Sequence, residues 1–364
     1  MRKDGAVFHQ PVRGRGSQSG DAPQRVGLAS READGDWRDA MEALDGPPVK
    51  LRTTVTEEHP KSIVSFNQSP DVPFDRSVNA YRGCEHGCIY CFARPTHAYH
   101  DLSPGLDFET NLFAKPKAAD LLRDTLARPK YRPQAIAMGT NTDPYQPIEN
   151  RYRITRALLE VCLEARHPVT ITTKSDRVLQ DIDLLEEMAE LNLVAVAISV
   201  TSLDPILSGK LEPRAAAPAR RMAALERLVQ SGVPTHCSVS PIIPAITDEF
   251  MEEIVARAAM IGVQSCGWIP LRLPHEVAPL FREWLDVHFS ERAGKVMGIV
   301  RSIRGGRDND PDFFTRFKPG GVWADLFRAR FRIACRRAGF KRRDFTLDAS
   351  QFRRPGSGGQ LRLL

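Results

Sequence analysis

At 364 residues and 42% apolar, the chain carries enough hydrophobic surface for a sizeable core, which excludes a mainly disordered protein. The net charge of +6 hides an asymmetry: residues 301–364 hold sixteen Lys and Arg against six Asp and Glu, a net of +10, leaving −4 for the first 300. Seven cysteines, three of them between Cys84 and Cys91, make a poor disulfide framework, and the chain shows neither a leader-like start nor a run of about 18 apolar residues, so a soluble cytoplasmic protein is expected.

Residues 1–58 are rich in Gly, Arg, Asp and Ser, as in Arg13-Gly-Arg-Gly-Ser-Gln-Ser-Gly20, with no sustained period of 2 or 3.6. A disordered tail is expected there, with one short helix near residues 37–44. For the Arg-Gly stretch a solvated tail is preferred to RNA contact. From about residue 77, short β-rich runs alternate with helical patterns. Strands are expected over 77–81, 134–138, 169–173, 193–200, 235–240 and 265–269, and helices over 117–126, 154–165, 179–191, 216–231 and 248–261. That alternation predicts an α/β fold with a parallel sheet of βαβ units, open or curled into a barrel, whose chemistry sits at the carboxyl ends of the strands. Two further helices are expected over 277–302 and 321–338, and the Gly-Ser-Gly-Gly at 356–359 reads as frayed.

Directly after the first strand stands Tyr81-Arg-Gly-Cys-Glu-His-Gly-Cys-Ile-Tyr-Cys-Phe-Ala-Arg94. Closely spaced thiolates on one loop can wrap an iron–sulfur cubane, because each sulfur reaches a different corner. Cys84, Cys88 and Cys91 leave the fourth iron without a protein ligand, the open position that a reactive metal centre needs. A zinc site is the alternative; it wants four ligands, and His86 or His97 would have to supply one. Gly83 and Gly87 allow the backbone to fold tightly here. At the other strand ends, Met138 to Glu149 form a polar, proline-punctuated loop. Lys174 ends strand three and needs an anionic partner if buried, and Arg214 stands a little beyond strand four. Either cation could bind a ligand carboxylate or an Asp or Glu on a neighbouring loop.

The spacing Cys-x3-Cys-x2-Cys, with aromatic Tyr90 before the third cysteine, resembles the signature of the radical S-adenosylmethionine (SAM) superfamily. From about residue 77 to 273 the chain resembles the branch related to spore photoproduct lyase and DNA repair photolyase-like proteins. The Thr-Asp-Pro loop after strand two, the Thr-Lys end of strand three, the Ser-Val end of strand four and the Glu-Pro after it all have counterparts there. This resemblance implies a partial (β/α)6 barrel of parallel strands over 59–275, between the tail at 1–58 and a basic helical C-terminal extension at 276–364. It implies a [4Fe–4S] cluster on Cys84, Cys88 and Cys91 and SAM on the fourth iron. A low-potential donor of flavodoxin or ferredoxin type would drive reductive SAM cleavage to a 5′-deoxyadenosyl radical that abstracts hydrogen from substrate. Tyr90 is then expected near the adenine, and Lys174 and Ser199 against SAM, with Arg214 as the other candidate for its carboxylate. Gly139, Thr140, Asn141, Thr142 and Asp143 occupy the place of the superfamily's amino-group-binding motif, although Asn141 and Asp143 could instead cap turns. The branch's hydrogen-returning cysteine has no counterpart in the strand-two loop, so thymine-dimer repair by that route is not expected.

In the last helix Trp323, Phe327, Phe331 and Cys335 recur every fourth residue, with Arg328, Arg332 and Arg336 on the adjacent face. Packing of the aromatic stripe with solvated arginines is the preferred reading, and phosphate contact with nucleic acid the other. Cys162, Cys237, Cys266 and Cys335 read as small buried hydrophobes. Two function classes result: a radical SAM enzyme acting on an unidentified, conceivably nucleic-acid, substrate, and a non-catalytic iron–sulfur or zinc protein that binds nucleic acid through its basic end.

Overall fold

The computed structural model describes residues 14–19, 51–340 and 346–356, so the helix expected near residues 37–44 falls outside the described residues. Its strands are β1 (Thr54–Glu57), β2 (Val64–Phe66), β3 (Arg76–Val78), β4 (Tyr81–Arg82), β5 (Asn111–Ala114), β6 (Ile136–Met138), β7 (Val169–Thr173), β8 (Val194–Ser199), β9 (Thr235–Ile242) and β10 (Ser265–Pro270). A seven-stranded sheet runs in the order β10-β9-β8-β7-β6-β3-β2. All its pairings are parallel except that of β2 with β3. Five of the six expected strands are present as β6 to β10, and the sheet is open, with β10 and β2 as its edges.

The helices are α1 (Leu106–Thr110), α2 (Ala118–Ala127), α3 (Glu149–Tyr152), α4 (Ile154–Glu164), α5 (Ile182–Glu190), α6 (Pro205–Leu211), α7 (Pro218–Gln230), α8 (Met251–Ile261), α9 (Val277–Ser302) and α10 (Gly321–Arg337). Their ends follow local chemistry. Asp204 caps α6 through the Ile206 N–H at 2.7 Å, with Pro205 preset for the first turn, and α8 stops at left-handed Gly262.

Two expectations are corrected. The run expected as one strand over 77–81 splits into β3 in the main sheet and β4 in a separate three-stranded sheet, β1-β5-β4. The break falls at Asn79, whose side chain bonds Thr140 and the Asn141 N–H instead of continuing a ladder. The tail expected to be disordered through residue 58 contains β1, paired in parallel with β5, and the buried residues Arg15, Ser17, Gln18 and Ser19. Arg15, Gly16 and Ser17 bond to Glu109 more than 90 positions away and Ser19 to Glu283, contacts that leave no periodicity in the sequence.

The two faces of the main sheet differ. β7 is built from β-branched residues, which suit a pleated strand. Val169 and Ile171 are buried, as are Val194, Val196 and Ile198 of β8 and Cys237 and Val239 of β9, all in the core shared with the helices, while buried Thr173 donates to Asp143. The opposite face carries small or polar side chains: Thr172 stands beside Ala197, Ala197 beside His236, and Ser199 beside Ser238, itself beside Gly267. Thr172 is exposed although β7 lies inside the sheet, so this concave face is open.

The C-terminal segments brace the sheet. Trp284, Phe281 and Leu285 of α9 enter a second core with Leu271, Leu273 and Tyr90. Beyond α9, Arg304 donates to Leu271 O past β10 at 2.6 Å, while Arg316 pairs with Asp71 between β2 and β3 at 2.6 Å. One loop thus ties both sheet edges.

Glu149 joins the start of the cysteine segment to α4: it accepts the Tyr81 hydroxyl and, at 2.9 Å, the Thr155 N–H. Burial outweighs these bonds and pushes its carboxyl from 4.5 up to about 7. The native state therefore holds a proton that the unfolded chain has released between those values, so stability falls as pH rises from about 4.5 to about 7, by roughly 3 kcal/mol at most. Glu149→Gln should flatten that part of the profile in urea unfolding at pH 5 and pH 8. Parallel profiles for the two proteins would mean that Glu149 is already ionised in the fold.

Candidate active site

Cys84, Cys88 and Cys91 sit on the turn between β4 and a 3-10 helix, Arg94–His100. All three are free thiols, Cys84 and Cys88 buried and Cys91 partly so. Gly83 and Gly87 adopt left-handed φ of 71° and 66°, and a Cβ would lie 2.8 Å from Phe108 O in the first case and 2.7 Å from Glu109 Oε2 in the second. The backbone groups of this turn are met from outside it. Cys84 N–H donates to Phe108 O at 2.9 Å, Ile89 N–H to Leu211 O at 3.1 Å and Glu85 N–H to Gln146 Oε1 at 2.9 Å. Arg94, wholly buried, donates to Cys88 O at 2.9 Å and Gly87 O at 3.2 Å and forms an ion pair with Glu109.

The loop after β6 holds the turn in place. Thr142 donates to Gly83 O at 2.6 Å, while Thr140 and the Asn141 N–H engage Asn79. Asp143 accepts from Thr173 at 2.7 Å, Lys174 N–H at 2.8 Å and Tyr145 N–H at 2.9 Å, and lies 3.2 Å from His86 Nδ1. Burial would raise the Asp143 carboxyl, but His86, Thr173 and the Lys174 N–H together hold it at about 2. Gly139 lies flat against the Thr172 carbonyl. The polar atoms of Thr142 and Asp143 are thus committed to the protein, as in the turn-capping alternative.

Lys174, beside Ser199 at the carboxyl ends of β7 and β8, reaches the same turn from the concave side. Its Nζ is 5.8 Å from the Tyr90 ring centroid and 4.0 Å from Glu212 Oε1. Burial lowers its pKa, with the Cys88 and Cys91 thiols among the groups that oppose this. Glu212 is the hub of this corner: it accepts from the Tyr90 hydroxyl, from Thr201 at 2.8 Å and from Arg221, whose other nitrogens donate to Ser199 O at 3.0 Å and Ala216 O at 2.7 Å. Sequence reasoning gave no role to Glu212, named only within the Glu-Pro of the resemblance, nor to Arg221 and Thr201. Glu212 was within reach, since it stands next to the Pro and Arg214 already singled out; nothing marked Arg221. Arg214 turns to Glu85 at 3.1 Å, the neighbouring-loop carboxylate of its two expected partners.

The donor set fits a cubane. Burial first, and then a nearby carboxylate, Asp143 for Cys84 and Glu212 for Cys88, raise the pKa of these two thiols, with the other thiols adding to it, so a thiolate here needs a compensating cation. Among the described residues no three His, Cys, Asp or Glu side chains converge on a single ion, and a cubane asks for no such convergence because each thiolate binds its own iron. His86 Nε2, on the same turn between Cys84 and Cys88, is buried without a hydrogen-bond partner.

The model of the Radical SAM superfamily matches residues 78–258. Uncharacterized proteins of Mycobacterium bovis and Mycobacterium tuberculosis are 37% identical over 242 residues, 65% of this chain and 71% of each of theirs. An uncharacterized protein of Methanocaldococcus jannaschii is 29% identical over 171 residues, 47% of this chain and 61% of that one. Among solved structures, spore photoproduct lyase complexed with dinucleoside spore photoproduct superposes with a TM-score of 0.54 at 14% identity, covering 86% of this chain and 89% of that one. A mutant of that lyase with bound AdoMet and the dinucleoside gives 0.52 at 13%, with the same coverage. The chain belongs to the radical SAM superfamily, and its fold is that of spore photoproduct lyase.

Protein purified without oxygen should be brown, with about four irons per chain, and Cys84→Ala, Cys88→Ala or Cys91→Ala should each abolish the colour. The other four cysteines lie away from the concave face: Cys237 and Cys266 point to the helical side, Cys162 is on α4 and Cys335 on α10. Single Ala variants there should keep full iron content. Loss of iron in Cys237→Ala with retention in Cys84→Ala would reassign the ligands.

Proposed function

We propose that this protein is an enzyme that cleaves SAM reductively on a [4Fe–4S] cluster and abstracts hydrogen from a substrate seated on the concave face of the sheet. The supporting observation is the convergence of the three-cysteine turn, Lys174 and the Thr172, Ser199 and Ser238 side of the sheet on one open face. When bound, the cluster and SAM would supply a 5′-deoxyadenosyl radical after one-electron reduction by a flavodoxin- or ferredoxin-type donor. Cys84, Cys88 and Cys91 would hold the iron. Lys174 would meet the SAM carboxylate, a reading supported by its 4.0 Å separation from Glu212, a carboxylate already occupied by Tyr90, Thr201 and Arg221. Tyr90, fixed through its hydroxyl, offers its ring beside that position, and Ser199 would be a small polar neighbour. Gly139, Thr140 and Asn141 border the same strand ends, with Thr142 and Asp143 behind them as supports. The small side chains of the inner face leave room for a substrate, and Thr172 and Ile269 are exposed on it.

Nucleic acid is the substrate class that the basic C-terminal segment favours. On α10, Arg328 is taken by Asp325 and Pro319 O, whereas Arg332 and Arg336 are exposed. The helix lays Phe327 and Phe331 against Trp268 on the outer side of β10, so these arginines would grip backbone phosphates beside the sheet, away from its concave face.

Reconstituted protein with SAM and dithionite should release 5′-deoxyadenosine, and Lys174→Gln should weaken SAM binding about tenfold or more while iron content stays at the wild-type level. No 5′-deoxyadenosine from fully loaded protein would leave a non-catalytic iron–sulfur protein. Binding to single-stranded DNA or RNA should weaken with salt, and Arg332→Gln with Arg336→Gln should reduce the log–log slope by up to about two. An unchanged slope would assign the arginines to solvation alone.

A further inference from the structure

The segment Gly14-Arg-Gly-Ser-Gln-Ser19 is packed against the back of the cysteine turn. Arg15, Ser17, Gln18 and Ser19 are each 5% exposed or less. Gly16 lies so close to the turn that a Cβ would stand 1.7 Å from Gly87 O and 3.2 Å from Ile89 N. Only glycine fits there, although its φ is unremarkable, because the constraint is contact and not conformation.

The segment is also wired to the turn electrostatically. Glu109 is buried, and its two oxygens accept the Gly16 N–H at 3.0 Å and the Ser17 N–H at 2.8 Å. The same carboxylate holds Arg94, which donates to the carbonyls of Gly87 and Cys88. Arg15 donates to Glu109 O at 2.7 Å and Leu51 O at 2.9 Å. At the far end, Ser19 O accepts the Leu106 N–H at 3.0 Å and the Ser19 hydroxyl donates to Glu283 of α9 at 2.9 Å. A buried carboxylate is stable only when its lone pairs are met, and two of the donors meeting Glu109 belong to this segment.

We propose that Gly14–Ser19 is an integral wall of the cluster site: a strap that fixes the cysteine turn in its ligating shape and closes one side of it to water and dioxygen. This rests on the assignment of Cys84, Cys88 and Cys91 as cluster ligands. The strap acts through Glu109 and Arg94 and touches no reacting atom, so its residues are positioning residues. Its expected signature is faster loss of a loaded cluster and faster exposure of the thiols, in a protein whose core is intact.

The test uses full-length protein in two arms. Gly16→Val drives a side chain into Gly87 O; Met260→Ala, at an exposed position on α8 outside the strap, is the control. In the first arm, reconstituted proteins are exposed to air-saturated buffer and bleaching of the iron–sulfur absorption is timed. In the second, metal-free proteins are alkylated with iodoacetamide and the rates at Cys84 and Cys88 are read by mass spectrometry, with Cys162 as an internal standard for global unfolding. Gly16→Val should bleach and alkylate about tenfold faster with Cys162 unchanged, while Met260→Ala stays within about twofold of wild type. Should Gly16→Val not fold, Arg15→Gln cuts the strap's anchors without adding bulk and should accelerate both rates about threefold. Wild-type rates in the folded variants overturn the strap. If the wild-type protein takes up no iron, the ligand assignment fails, and the alkylation arm still decides whether the strap shields the turn.

Discussion

Arg94 and Glu109 meet with neither side chain exposed to solvent, and the shape of the cysteine turn depends on that contact. A buried ion pair adds little net stability, because desolvation nearly offsets the attraction, but removing one member strands the other at about 3–5 kcal/mol. What the pair contributes is geometry. Arg94 directs its remaining N–H groups to the carbonyls of Gly87, Cys88, Pro104 and Gly105, and Glu109 takes the N–H groups of Gly16 and Ser17. Carbonyls held this way are turned from the thiols toward the guanidinium. A loop of three cysteines and two left-handed glycines, with few backbone bonds of its own, thereby acquires a single conformation.

On the opposite side of that turn the sheet supplies an open face. Alternation along β7, β8 and β9 sends Val, Ile and Cys to the helices and Thr, Ser, Ala and His to the concavity, so one set of strands serves as both core and ligand surface. Deeply placed charges at the junction are matched in a chain, Lys174 to Glu212 and Glu212 to Arg221, with Tyr90 and Thr201 completing the carboxylate's partners. In such a chain Lys174 is the member whose partner is already satisfied, which leaves it the most able to take an incoming anion.

The C-terminal helices play different parts. Trp284 of α9 donates to Lys210 O at 3.0 Å and packs with Tyr90 and Ile89 in one core, so α9 supports the cysteine turn as much as any strand of the sheet does. By contrast, α10 covers β10 from outside through Phe327 and Phe331, and its Arg330 is anchored on Glu252 and Asp248 of the neighbouring segment.

Periodicity and motif spacing determined much of this protein by themselves. Five β-branched residues at Val169–Thr173 meet the sheet wherever they are placed, the 3.6-residue patterns mark the covering helices, and Cys-x3-Cys-x2-Cys points to the superfamily; these signals are local, so they survive without coordinates. The split of β3 from β4, the docking of β1 and the burial of Arg15 to Ser19 were not legible, because each depends on a partner far away in the chain. The same holds for Arg214, which resembles a ligand-binding arginine in sequence and pairs with Glu85 in space. Only the tertiary structure decided which of the polar residues near the cysteines are committed to one another and which still face an open site, since hydrogen bonding and burial are properties of neighbours and not of spacing.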